Sequence, residues 1–164
     1  MTAEVERHFA EAASLIQRRE FAAAVAAYDR AIAADPSLPG PWINRVAALS
    51  AAGDSAGAWL AAQSAVLRFA DFAAAHSAMG DVALAAGMAS AAEAAFAKAA
   101  ALAPDMPGLR NSLALALQGQ GRIAEARAVF AEAQRLAPGD RQLASNALMA
   151  CQYDPPADNL RAQA

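Results

Sequence analysis

The chain has 164 residues and a formal net charge of −3, with 57% hydrophobic and 18% charged residues, enough for one compact domain or one short repeat array. Alanine makes up about a third of it and aromatics only 6%; alanine has the best helix propensity and β-branched residues are sparse, so an all-α chain is expected. Charges of both signs are dispersed, so no nucleic-acid partner is expected, and the Ala-rich runs are broken by Asp, Glu, Lys or Arg well short of a membrane span.

The opening MTAEVERHFAEAA is acidic and polar, unlike a signal peptide. Helical spacing of apolar residues then predicts helix pairs at about 3–18 and 21–34, 41–52 and 55–69, 73–86 and 89–102, and 107–119 and 122–136, with a ninth helix at about 140–152. Ser55 and Asp140 each follow a loop and are the predicted N-caps of their helices. In the third pair, Met79, Gly80 and Ala83 share one helix face, and Ala92, Phe96 and Ala99 another. Gly87 stands where a left-handed C-cap is wanted. Pro104 closes the pair, since proline cannot continue helical hydrogen bonding.

These positions recur every 34 residues. The second-helix alanine reads Ala24, Ala58, Ala92, Ala126, and seven residues on come Ala31, Ala65, Ala99, Ala133. Between them lies a bulky knob, Tyr28, Phe96 and Phe130, replaced by Ala62 in the second copy. The turn reads Arg19, Gly53, Gly87, Gly121, and the closing position Pro36, Ala70, Pro104, Pro138. A fixed period of this length signals a solenoid, in which each unit's apolar face is covered only by its neighbour.

The pattern resembles the tetratricopeptide repeat (TPR), whose signature runs W-x2-L-G-x2-Y, then A-x3-F, A and P. Trp42 matches the tryptophan, and Gly80 the glycine, with Ala12, Val46 and Ala114 as its equivalents. The resemblance implies a right-handed superhelical solenoid of helix–turn–helix repeats at about 5–38, 39–72, 73–106 and 107–140, then a capping helix at 141–153. Small residues let the two helices of a pair approach to about 8 Å, so Ala24, Ala58, Ala92 and Ala126 are expected to face Ala12, Val46, Gly80 and Ala114. Larger side chains, among them Leu15, Leu49 and Leu117, are expected to fill the space between repeats.

Nothing in the sequence resembles catalytic chemistry, and neither a cofactor nor a metal is expected: Gly119-Gln120-Gly121 is a helix–helix turn, and no His/Cys cluster has metal spacing. His8 and His76 occupy the position of Trp42 and are read as side chains interfacial within a helix pair. Cys151 is alone, which predicts no disulfide framework and a reducing, cytoplasmic setting; it is read as an inert core thiol.

The resemblance places first helices on a concave face. Its residues include Asn44, Ser77, Asp81, Asn111, Ser112 and Asn146, which are the candidate partner-binding residues. They make the face small and polar rather than charged, suited to hydrogen-bonding the amides of an extended peptide. Chaperone-binding arrays of the family hold a terminal carboxylate with Lys, Asn and Arg. The matching positions here are Phe9, Ala13, Asn44, Ala74 and Ala78; only Asn44 agrees and no cation is present, so such a clamp is not expected. Asn44 and Asn146 share one repeat position, where the O-GlcNAc transferase and SPINDLY-type protein glycosyltransferases carry an asparagine ladder; Ala10, Ala78 and Ser112 depart from it.

Residues 145–155, a Ser-Asn, an apolar helix, then Tyr153-Asp154-Pro155, are similar to the segment that joins repeats to the catalytic domain in bacterial members. Residues 154–164 are then either a frayed tail or the start of a linker to a domain missing from this chain. The resemblance implies a non-catalytic, substrate-recruiting arm of a bacterial protein O-glycosyltransferase, with flagellin as a leading candidate for the protein partner by family analogy alone. The alternative is a free-standing scaffold bridging two proteins. Low charge and an Ala-rich surface are compatible with a monomer or with weak self-association.

Overall fold

The structure, a computed structural model, describes residues 2–152, the last two by their backbone alone. Among the described residues every regular element is a helix: α1 (Ala3–Gln17), α2 (Phe21–Ala34), α3 (Pro39–Ala51), α4 (Ser55–Arg68), α5 (Ala73–Ala85), α6 (Ala89–Leu102), α7 (Pro107–Gly119), α8 (Ile123–Leu136) and α9 (Arg141–Gln152). The ends lie within two residues of the spans read from periodicity. The chain forms two compact units, Met1–Met88 with α1–α5 and Ala89–Ala164 with α6–α9.

The turns repeat at atomic detail. Arg19, Gly53, Gly87 and Gly121 all have positive φ, between 61° and 80°. The residue after each donates its N–H five residues back: Glu20 to Leu15, Asp54 to Leu49, Met88 to Ala83 and Arg122 to Leu117, at 2.9–3.1 Å. The turn residue itself donates three residues back, as Gly53 does to Ser50 at 3.1 Å. This is the Schellman closure, which satisfies the last carbonyls of the first helix and needs one left-handed residue. Glycine takes that conformation freely, whereas Arg19 meets a steric penalty at its Cβ.

One capping assignment is corrected. The N-cap of α4 is Asp54, not Ser55, which is the first helical residue. The Asp54 carboxylate accepts from the Gly57 N–H at 2.8 Å, and a Cβ on residue 57 would collide with that carboxylate. Asp140 caps α9 as read from the sequence, accepting from the N–H of Gln142 at 2.8 Å and of Leu143 at 3.2 Å. Thr2 accepts from Val5 N–H at the head of α1.

In the unit of α1–α5, Ala12 of α1 packs with Ala24, Ala27 and Tyr28 of α2 and Ala48 of α3. A second cluster joins Val46 and Leu49 of α3 to Ala58, Ala61 and Ala62 of α4 and Val82 of α5. Ala62 stands where the other copies carry an aromatic ring. It is nonetheless fully buried, because Trp59 and Met79 pack against this cluster and supply bulk from neighbouring positions. In the unit of α6–α9, Ala114 and Leu117 of α7 pack with Ala126 and Phe130 of α8 and Ala150 of α9. Gly80 and Ala92 are each buried in their own units.

Ion pairs lock the helix surfaces within each unit. Arg45 of α3 reaches Asp29 of α2 at 2.5 Å, and Arg30 of α2 reaches Glu11 of α1 at 2.7 Å. Between α7 and α8, Gln120 and Arg122 both donate to Glu93 of α6, at 2.8 and 2.7 Å. Those bonds hold the Glu93 carboxyl below its ordinary value.

The turn geometry predicts that Arg19→Gly stabilises the chain, and Gly53→Ala destabilises it, each by about 1 kcal/mol. Ala126→Leu, which overpacks the α7–α8 contact, should cost about 1–3 kcal/mol. Urea denaturation of the full chain measures all three; a neutral Ala126→Leu would mean that this contact is loosely packed.

Candidate functional site

The face formed by α1, α3 and α5 carries two indentations. One, of about 490 Å³, lies between α1 and α3 and is lined by Ala13, Ile16, Tyr28, Asn44 and Ala47 among others. The second, of about 410 Å³, lies between α3 and α5, where Ile43, Val46, Ala47, Ser77, Asp81 and Val82 contribute to its wall. Ala47 belongs to both. The hollows exist because the exposed positions between the helices are Ala13, Ala47 and Ala74, whose methyl groups cannot fill the space. Of the five positions compared with the carboxylate clamp, Ala13, Asn44, Ala74 and Ala78 line these hollows.

Asn44 is half-buried and lines the first hollow together with Tyr28. Burial pushes the Tyr28 phenol above its usual range, and the nearby Asn44 amide partly offsets the rise. Ser77 and Asp81 sit one helical turn apart on α5, on the wall of the second hollow. No described residue hydrogen-bonds or ion-pairs with the Asp81 carboxylate. Solvent reaches it, but the surrounding protein displaces enough water to raise its carboxyl above the ordinary aspartate value.

The other three candidates lie in the second unit. Asn146 of α9 donates to Asn111 of α7 at 2.8 Å and accepts from Gln142 at 3.0 Å. Asn111 and Asn146 are thus brought together, and Gln142 joins them, a residue that sequence reasoning did not select. Ser112 neighbours them on α7, half-buried. The face is therefore a short amide chain whose donors and acceptors partly satisfy one another.

Sequence reasoning also missed a role shared by Trp42, His76 and Arg110. Each stands near the start of a first helix and donates to the carbonyl six residues back: Trp42 Nε1 to Pro36 at 3.2 Å, His76 Nε2 to Ala70 at 2.7 Å, and Arg110 Nη1 to Pro104. Three chemically different side chains thus tie down the same loop. The usable signal was an N–H donor at one repeat position, with the acceptor at the closing position. The tie explains how Ala70 replaces proline without losing the turn, and Phe69 adds an edge-on ring contact to Trp42 at 6.2 Å. His8, at the same position in α1, instead spans its helix pair, meeting Glu11 and Arg30.

Among the described residues no group of His, Cys, Asp and Glu could hold a metal ion, and no helix is long and apolar enough to cross a membrane. The Cys151 side chain and Tyr153-Asp154-Pro155 lie outside the described residues.

Comparison with known proteins agrees with this architecture. The family profile for the tetratricopeptide repeat matches residues 83–150. A thermophilic TPR protein of Thermus thermophilus superposes with a TM-score of 0.80 at 24% identity, over 92% of this chain and 82% of that one. MamA from Desulfovibrio magneticus RS-1 gives 0.73 at 16%, over 93% and 92%. YrrB, described as a TPR protein with an unusual peptide-binding site, gives 0.68 at 20%, over 89% and 75%. Comparison with curated proteins returns no match. The fold is an all-α, tetratricopeptide-type repeat solenoid.

The Asp81 environment has a measurable consequence. Its native carboxyl binds a proton more tightly than the unfolded chain does, so its contribution to stability is fully present below about pH 3.9 and is lost as pH rises through the native value. Carbon-detected NMR should place the Asp81 midpoint above that of an ordinary aspartate. Asp81→Asn should leave the chain at least as stable as the parent at neutral pH; a less stable variant would mean that the carboxylate has a favourable partner.

Proposed function

We propose that this chain is an interaction module that binds an extended polypeptide across the face of α1, α3 and α5. The observation that carries the reading is the pair of hollows meeting at Ala47, each with polar groups on its edge and apolar walls. An extended peptide places alternate side chains on opposite sides. Hollows at successive helices can take residues from one side, while Asn44 and Ser77 bond the intervening amides. Such bonds contribute about 0.5–1.5 kcal/mol each, so the face selects an extended backbone more than a particular sequence. The peptide-binding site ascribed to YrrB, on the same fold, supports this reading by analogy.

The finer reading is that the module recruits protein substrates for a bacterial O-glycosyltransferase, flagellin among them, from the cytoplasm, without itself transferring sugar. Its support is the sequence similarity at residues 145–155 and the shared position of Asn44 and Asn146. The scaffold reading has its own support. On α4, Leu60 and Leu67 are 64% and 87% exposed, seven residues apart and hence on one side of the helix. A second apolar surface away from the hollows is what a bridge between two proteins needs.

Random peptides displayed on phage and selected on the full chain test the proposal. Selected peptides should bind with micromolar Kd, on the order of −8 kcal/mol. Ala47→Trp places a bulky ring at the exposed position the two hollows share and should weaken binding at least tenfold, whereas Leu67→Ser on α4 should not. Peptides that tolerate Ala47→Trp and are lost with Leu67→Ser would transfer the function to the α4 surface. For the finer reading, the full chain should retain purified flagellin in a pull-down, and Asn44→Ala with Asn146→Ala should reduce the capture; no retention rejects flagellin as the partner.

A further inference from the structure

We infer that the hollow between α3 and α5 is a socket for a basic side chain, a lysine or arginine carried by the polypeptide that occupies this face. The inference rests on the peptide-binding reading and adds a chemical class to it.

Asp81 is the charged residue of that lining, and its carboxylate meets no hydrogen-bond donor or cation among the described residues. Around it the wall is mainly apolar, from Ile43, Val46, Ala78 and Val82. A long basic side chain matches both halves. Its methylene stem covers apolar surface while the charged head stays at the wet edge, where the Asp81 carboxylate stands. Volume permits this, since 410 Å³ is ample for one such side chain.

The neighbouring hollow supplies the internal contrast. One repeat earlier, the position of Asp81 is Ala47 and that of Ala78 is Asn44. The lining between α1 and α3 therefore offers the amides of Gln17 and Asn44 and no charge. Two hollows of one repeat geometry thus differ in charge, which makes the acid a feature of the second hollow rather than of the face as a whole. A neutral apolar side chain entering the second hollow would take water from an unpaired carboxylate without replacing it. An acidic side chain would also meet like charge. A basic one fills the space and supplies both the missing hydrogen-bond donor and an opposite charge, which a neutral donor lacks.

The test compares three full-length chains: the parent, Asp81→Asn and Asp81→Lys. Each is used to select from the same random peptide library. Asp81 is exposed, so neither substitution removes core packing. The parent pool should carry Lys or Arg at one fixed position. The enrichment should vanish with Asp81→Asn, and acidic residues should replace it with Asp81→Lys. Norleucine in place of that basic residue should weaken binding to the parent roughly fivefold, the scale of one partly shielded ion pair, and leave binding to Asp81→Asn unchanged. The same basic enrichment in all three pools overturns the socket. If Ala47→Trp still blocks those peptides, the peptide-binding face survives that result; if they ignore Ala47→Trp, both readings fall.

Discussion

The rest of the structure depends on close approach between paired helices through alanine. Ala24 against Ala12, Ala58 against Val46 and Ala126 against Ala114 are contacts of almost no exposed area. A methyl group on one side lets ridges of one helix settle deeply into grooves of the next. That depth fixes the short turn between the helices. Only a left-handed residue closes the chain so tightly, and residues 19, 53, 87 and 121 all take that conformation. At three of them glycine removes the cost, and at Arg19 the packing imposes the conformation on a residue that disfavours it.

Alanine packing also shapes the outer face of the first helices. When small residues dominate, side chains cannot both fill the core and cover the surface. Larger knobs such as Tyr28 and Phe130 are drawn inward and almost fully buried. What remains outside at Ala13, Ala47 and Ala74 is short, so the helices leave hollows between them. The small side chains that make the pairs stable therefore also leave their outer face indented.

Much of this was legible in the sequence because one position recurring every 34 residues reports one environment. Helix ends, turn residues, buried alanines and the Asp140 cap followed directly. Relations between different positions were not legible. The period marks Asn44 and Asn146 as equivalent, yet Asn44 lines a hollow with Tyr28 while Asn146 bonds Asn111. Equivalent residues face unequal neighbours, and a register cannot reveal partners. The Ser55 assignment failed similarly. Asp54 is already committed to the Schellman turn through its N–H, and the sequence did not show that its side chain could also cap the next helix. Trp42, His76 and Arg110 share no obvious chemistry except an N–H donor, so their common tie emerged only once the loop carbonyls had positions.

Polar groups on the first-helix face differ most in how far they are already satisfied. In the second unit, Asn111, Asn146 and Gln142 bond one another, so a ligand must replace existing bonds and gains little from them. Asn44 lines the first hollow together with Tyr28, and its amide can both donate and accept. Asp81 has no described partner. Ligand binding contributes most where desolvation has already been incurred by folding, because an unpaired group near apolar walls stands to gain a bond at little further cost. Among these described groups the least satisfied is therefore the one at the α3–α5 hollow. In the peptide-binding proposal, shape provides the receptive face and unsatisfied charge decides which part of it discriminates among partners.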